Sequence, residues 1–362
     1  VTVLGHAYPW DVLGDPGFVS RVRDLGLDGV NLAAAYHTTR AATPWHPGHA
    51  LVDAAHAAFY RPIRPEAWPS SLRPAAPGWM PSADSFGEAA RILADAGIPV
   101  HAWIVLTHSS VLGASHPQFA VRNCFGDPYQ YALCITHPQV RDYAARLVSE
   151  TVRDVPLAGV CLEACGQLGF DHGGHHDKTD GAYTPLQRRW LSVCCCPACP
   201  GSRHAGELRR AVREGVDPSG LGSEILAVRQ EAADALRRAA AAAAGGLRVT
   251  LHGDPDPWTT GALPGLTPKA GQDVDAVVVQ CWRLGEESVR KVPAAREVVG
   301  GGTSVGGYVT VLPPSPATGV TDHVRALARA GADELHLYHL GLAGPERFGA
   351  LADAVTTFRE SR

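Results

Sequence analysis

A chain of 362 residues with 45% hydrophobic and 19% charged side chains can bury a large core, which excludes a disordered or fibrous protein. Its formal net charge of −4 offers no basic surplus to neutralise phosphates or hold an anionic surface, so neither nucleic acid nor membrane is an expected partner. No apolar run approaches the roughly 20 residues that span a bilayer, and no signal-peptide pattern opens the chain, although Val1 is not methionine and residues upstream stay open.

Short β-type runs alternate with helical patterns along the whole chain, which is the signal of a parallel sheet. The first run, residues 1–4, leads to His6 and Tyr8, and Asp15 then reads as the cap of a helix carrying Phe18, Val22 and Leu25. The second, 29–32, leads to Tyr36 and His37 and is followed by a proline-rich, aromatic stretch over 38–82. Ser85 and Glu88 have the spacing of a capping box at the next helix. The third run is 100–106, followed by an irregular segment and a helix over 138–152. The fourth is 157–163, apolar until Glu163 closes it, and a second long excursion covers 164–222. Ser223 reads as the cap of a helix ending at the glycines 245 and 246. Strands are then expected at 247–251, 276–280, 304–311 and 334–338, with helices over 286–297, 321–330 and 345–358.

Eight such units, short-linked at one end and long-linked at the other, describe a single α/β domain over 1–362. It is a (β/α)8, or TIM, barrel with long loops after strands 2, 3 and 4, and 38–82 and 164–222 are insertions at its C-terminal face. A doubly wound open sheet is the alternative, but the first strand lacks the glycine-rich phosphate turn that accompanies it.

In such barrels the C-terminal strand ends build the site. Here they supply His6, Tyr8, Tyr36, His37, Trp103, His108, Glu163, His252, Asp254, Asp256, Gln280, Trp282, Tyr308, Tyr338 and His339. Aromatic faces mixed with hydrogen-bonding groups suit a small carbohydrate; any one of them alone is better read as ordinary strand-end polarity, and it is their sum that points to a sugar. Glu163 is the sharpest candidate: a carboxylate ending an apolar strand is partly desolvated, which favours its protonated form and fits a general acid, unless an arginine at the mouth pairs with it.

The loop after it holds His172, His175, His176 and Asp177, readable as a substrate-contacting loop, a metal site or solvated residues. Cys194, Cys196 and Cys199 have a C-x-C-x-x-C spacing that can bring three thiolates onto one tetrahedral zinc, with Cys134 from the preceding loop as the expected fourth ligand. Free thiols or a redox pair are the alternative. Cys124, Cys161, Cys165 and Cys281 read as small buried hydrophobes. Crowded thiols in a chain that needs no disulfide staples point to a reducing, cytoplasmic setting. No organic cofactor is expected, and a homo-oligomer stays open.

Cys134 shortly before a Pro-x-x-Arg helix start, Glu163 closing the fourth strand, and C-x-C-x-x-C some thirty residues on together resemble the zinc-containing β-galactosidases of the large (β/α)8 glycoside hydrolase clan. The likeness covers about residues 100–200. It implies Glu163 as acid/base and Cys134, Cys194, Cys196 and Cys199 as ligands of a structural zinc. That clan carries a nucleophilic glutamate at the end of strand 7, whereas here 303–321 contains no carboxylate, and Leu162 stands where asparagine usually precedes the acid/base. The retaining two-glutamate mechanism therefore does not transfer.

Three functions follow as expectations. The first is a glycoside hydrolase with Glu163 as proton donor and Asp254 or Asp256 as the second carboxylate, or with substrate assistance in its place. The second is a non-catalytic carbohydrate-binding barrel, and the third a metal-dependent hydrolase using His172, His175, His176 and Asp177.

Overall fold

The computed structural model describes residues 1–171, 178–179, 181–218 and 220–362; His172, His175, His176 and Asp177 lie outside them. Eight parallel strands close into a barrel: β1 (Thr2–Ala7), β2 (Gly29–Tyr36), β3 (Val100–Val105), β4 (Gly159–Glu163), β5 (Arg248–His252), β6 (Ala276–Gln280), β7 (Ser304–Thr310) and β8 (Glu334–Tyr338). Each pairs with its neighbours in chain order, and β1 pairs with both β8 and β2 to complete the cylinder. The apolar runs that the sequence offers as strands are thus covered on both faces, by the barrel interior and by the outer helices, as an all-parallel sheet requires.

The helices pack apolar faces on that cylinder. Pro138–Val152 begins with proline at its first turn, where a missing N–H costs nothing, and buries Val140, Tyr143, Ala144, Leu147 and Val148. Three starts differ from the expected caps. Phe18–Asp24 begins beyond Asp15, whose carboxylate accepts from the Gly17 N–H instead. Asp84 caps Ser85–Asp95 by accepting from the Gly87 N–H, leaving Ser85 inside the first turn. Leu221–Ala243 starts after Gly220 in the left-handed region, so Ser223 is already helical. Between β5 and β6 the connection holds only a 3₁₀ turn, Ala270–Gln272, in place of a helix. Repeated prolines and glycines over 253–271 prevent one.

The segments after β2, β3 and β4 carry further secondary structure. After β2 comes a hairpin, Thr39–Ala42 with Leu51–Ala54, and then Ala58–Phe59 adds an antiparallel edge to the end of β2, next to a bulge between Ala33 and Ala35. After β3, helix Ser110–Ser115 lies on the hairpin Ala120–Arg122 with Pro128–Leu133. Gly113 permits that contact, because a Cβ there would stand 1.8 Å from the Gln130 carbonyl oxygen. Gly113→Ala is therefore expected to cost about 1–3 kcal/mol through forced repacking, seen as a lowered melting temperature with the barrel intact. After β4, helices Pro185–Leu191 and Ala205–Glu214 enclose a separate small core of Trp190, Leu191, Leu208, Val212 and Ile225.

Candidate active site

Because strand side chains alternate between faces, residues two apart on one strand share the barrel interior. This puts Cys161 and Glu163 of β4 together, Glu334 and His336 of β8, and His101 and Trp103 of β3. The interior is unusually polar. His6 Nε2 meets Asn31 Nδ2 at 3.3 Å, Asn31 Nδ2 meets His336 Nδ1 at 3.1 Å, and His336 Nε2 meets Glu334 Oε2 at 3.1 Å. Glu334 in turn pairs with Arg248. Buried polar groups of this kind are tolerated only when partnered, yet His6 Nδ1, Asn31 Oδ1 and Thr250 Oγ1 have no partner among the described residues.

Above this column the candidates form one continuous network of ring contacts. Trp103 lies edge-on to His6 at 4.8 Å, to Tyr36 at 4.6 Å and to Tyr338 at 6.3 Å, and it parallels Tyr8 at 6.0 Å. Tyr338 stacks on Trp282, and Tyr308 touches His6, His252, Trp282 and Tyr338. His339 packs on Tyr8, and the network runs outward through His37 to His108. Trp10, absent from the expected set, stacks on Tyr8; its place in a short helix after β1 hid it among core aromatics.

Glu163 ends β4 within this cage. It is 4% exposed. The Trp103 indole N–H donates to Oε2 at 2.7 Å, and His252 Nδ1 stands 3.4 Å from the same oxygen. No arginine reaches Glu163 among the described residues, and none of them donates to Oε1. The next residue, Ala164, has a φ of 52°, a conformation that residues with a Cβ seldom adopt. Its N–H is tied to the Ala262 carbonyl, so the turn out of β4 is fixed by the loop after β5. Trp103→Phe removes the donor together with part of a buried ring; the hydrogen bond to the carboxylate alone, about 1.5–3 kcal/mol, predicts a turnover rate lowered at least roughly 10- to 100-fold, measured as kcat, with a lowered melting temperature reporting the lost packing.

Asp254, Asp256 and Gln280 sit apart from the cage, lining an adjoining cleft of about 480 Å³ together with Asp171, Glu287 and Lys291. Glu163 is not in that lining; the cleft wall at Ala262 is linked to it through Ala164. Both Asp254 oxygens are occupied, Oδ1 by the Asp256 N–H at 2.9 Å and Oδ2 by Lys291 Nζ at 2.7 Å. Asp256 is exposed and uses Oδ1 for the Trp258 N–H at 3.0 Å. Lys291 comes from helix Glu286–Val299, and nothing in its local sequence announces that contact.

The four cysteines converge. Cys134, Cys194, Cys196 and Cys199 are buried, with all four sulfurs within 4.8 Å of one another and Cys134 Sγ 3.3 Å from Cys199 Sγ; none is in a disulfide. His137 Nε2 lies 3.5 Å from Cys196 Sγ, and Thr136 Oγ1 lies 3.2 Å from Cys199 Sγ. Hydrogen bonds among the thiols drive their proton affinities apart, Cys134 and Cys196 downward and Cys194 and Cys199 upward. The cluster joins the segments that follow β3 and β4.

No protein-family model matches the chain, and no curated protein matches it in sequence. Solved structures do resemble it. The PgaB (BpsB) glycoside hydrolase domain of Bordetella bronchiseptica superposes with a TM-score of 0.61 at 15% identity, over 98% of this chain and 99% of that one. The α-L-fucosidase isoenzyme 2 of Paenibacillus thiaminolyticus gives 0.54 at 15%, over 94% of this chain, which spans only 45% of the fucosidase. The β-galactosidase of the psychrophilic Marinomonas ef1 gives 0.55 at 12%, over 99% and 59%. At these identities the likeness establishes the architecture: this chain has the closed eight-stranded parallel barrel that those glycoside hydrolases share.

Proposed function

We propose that the protein is a glycoside hydrolase acting on a small glycan or glycoside, with Glu163 as the general acid that protonates the leaving oxygen. The observation that carries this reading is a carboxylate at the end of β4 held by the Trp103 N–H within an aromatic cage, with neither an arginine beside it nor a donor to Oε1 among the described residues. Aromatic rings at Tyr8, Tyr36, Trp103, Trp282, Tyr308 and Tyr338 supply faces for sugar C–H surfaces, and His6, His37, His108 and His339 supply polar edges. The cleft beside it, with Asp254, Asp256 and Gln280, offers hydroxyl-binding groups for the rest of the ligand. The barrel shared with solved glycosidases is consistent with this use, and so is the resemblance to zinc β-galactosidases in the sequence.

For the second carboxylate the geometry favours Asp256 over Asp254, whose two oxygens are taken by a backbone N–H and by Lys291. In this reading Asp256 activates water for an inverting displacement. The Cys134, Cys194, Cys196 and Cys199 set fits a structural zinc: four thiols, buried, mutually close and unoxidised, match a closed tetrathiolate site that fastens loops and leaves no position for substrate. Nine free thiols suit a reducing, cytoplasmic compartment. No helix among the described residues is long and apolar enough to cross a membrane.

Incubation with a panel of nitrophenyl glycosides and short oligosaccharides tests the reading. Turnover of at least one is expected. Tight binding of a glycan with no turnover across the panel would instead make the protein a carbohydrate-binding barrel, in keeping with a strand 7 region that carries no carboxylate.

A further inference from the structure

His252 stands among the residues expected to touch sugar, but its surroundings give it another task. It is fully buried at the end of β5. Strand pairing sets β5 beside β4, with Thr250 opposite Cys161 and Leu251 opposite Leu162, and alternation turns Cys161 and Glu163 to the same inward face. The imidazole therefore lies between them: Nε2 is 3.3 Å from Cys161 Sγ, and Nδ1 is 3.4 Å from Glu163 Oε2. Nε2 is engaged by the thiol, and Nδ1 faces the carboxylate. The Nδ1 contact has ion-pair range without the alignment of a formed hydrogen bond, so a small rotation of either side chain completes it. Thiol, imidazole and carboxylate thus stand in one line across two adjacent strands.

We propose that His252 is a positioning residue that shares its proton with Glu163: anchored by Cys161 at one ring nitrogen, it carries at the other the proton that Glu163 delivers to the leaving oxygen. The proposal rests on the reading of Glu163 as proton donor. In the loading step the Nδ1–H bond breaks and an O–H bond forms on Glu163; imidazolium becomes imidazole and carboxylate becomes carboxylic acid, with no net proton taken up. Donation to the leaving oxygen restores the carboxylate; the proton of the attacking water passes to Asp256 and from there to solvent, and a proton taken up from solvent recharges the His252–Glu163 pair.

The groups facing His252 are His6 from β1, Cys161 and Glu163 from β4, Tyr308 from β7 and His336 from β8. Burial alone would strip the imidazole of its proton, but the sulfur and the carboxylate outweigh it and push the pKa up to about 10. Burial and the neighbouring histidines hold His6 well below its ordinary value, and burial holds His336 below it despite Glu334. Of these three buried histidines, His252 is the one whose neighbours outweigh its burial.

Long-range ¹H–¹⁵N NMR of histidine-labelled protein reads the charge on His252 without any substrate. Both nitrogens are expected to remain protonated at pH 8, with the midpoint falling by at least about one pH unit in Glu163→Gln, a tenfold change in proton affinity. Cys161→Ser, which keeps a hydrogen-bonding group, should move it less than Cys161→Ala; melting curves identify any variant that fails to fold. A neutral His252 at pH 7 in the unaltered protein, or a midpoint indifferent to Glu163→Gln, overturns the proposal. In kinetics, His252→Gln is expected to lower kcat about 100-fold and shift the pH profile while KM stays within about twofold; a raised KM with kcat intact would make His252 a sugar contact and overturn it as well. An active enzyme without the NMR coupling rejects this proposal alone, whereas coupling without turnover of any glycoside rejects the glycosidase reading and with it the destination of the proton.

Discussion

Glu163→Gln is expected to lower turnover of a glycoside with a poor leaving group about 1,000-fold, the middle of the range for losing a positioned general acid, with the fold retained. Glutamine has nearly the shape of glutamate, and its carbonyl oxygen can still accept the Trp103 N–H, so the cage around position 163 has no reason to rearrange. What disappears is the transferable proton. The loss must therefore depend on the leaving group: a dinitrophenolate departs without protonation, and the defect should shrink to about tenfold for a dinitrophenyl glycoside. An equal defect for both substrates would show that Glu163 serves the reaction in some other way. The comparison also separates catalysis from stability, because a misfolded variant loses both substrates alike.

The second large effect is expected at the cysteine cluster. Cys196→Ser replaces a central thiolate, within reach of Cys134 and His137, by a poorer zinc ligand. Purified protein is expected to contain about one zinc per chain, and the variant well under a tenth of that. Loss of a structural metal belongs to the few changes that cost more than about 4 kcal/mol. At about 2–4 °C per kcal/mol for domains of 150–250 residues, the melting temperature should fall by on the order of 10 °C. The damage should concentrate in the segments following β3 and β4, which the four sulfurs join, so hydrogen exchange there should rise before it rises in the barrel strands. Zinc content unchanged in Cys196→Ser, with stability unchanged, would mean that the thiols hold no metal. Zinc lost together with all activity but no stability would place the metal in the reaction instead.

The barrel itself was legible in the sequence because its causes are local. Apolar runs such as 276–280 and 304–311 can be covered only from two sides, and a run that ends on a single glutamate marks the strand's open end. The residues at the strand ends were legible for the same reason: a barrel sends all of them to one face, so Tyr36, Trp103, Tyr308 and Tyr338 meet without any of them being near another in the chain. Cys134 was placed with the C-x-C-x-x-C run by the adjacency of consecutive loops.

What the sequence hid depends on pairs that only the closed barrel brings together. Lys291 neutralises Asp254 from a helix 37 positions away, and no pattern around Asp254 reveals it. Cys161 reads as a small core residue by type and burial, and only the register of β4 against β5 puts its sulfur on His252. Helix starts shifted by one to three residues wherever a neighbouring aspartate or glycine made the better boundary, as Asp84 and Gly220 do.

The most direct measurement is a crystal structure of the Glu163→Gln variant holding an unhydrolysed oligosaccharide or glycoside identified by the turnover panel. The bridging oxygen of the sugar is expected within about 3 Å of the side chain at position 163, with rings of the Tyr and Trp cage against the sugar faces and Asp256 on the opposite side of the scissile bond. A sugar bound elsewhere on the molecule, with the position 163 side chain sealed behind Trp103 and Tyr338 and out of reach of any ligand oxygen, would contradict the assignment of Glu163 as the acid.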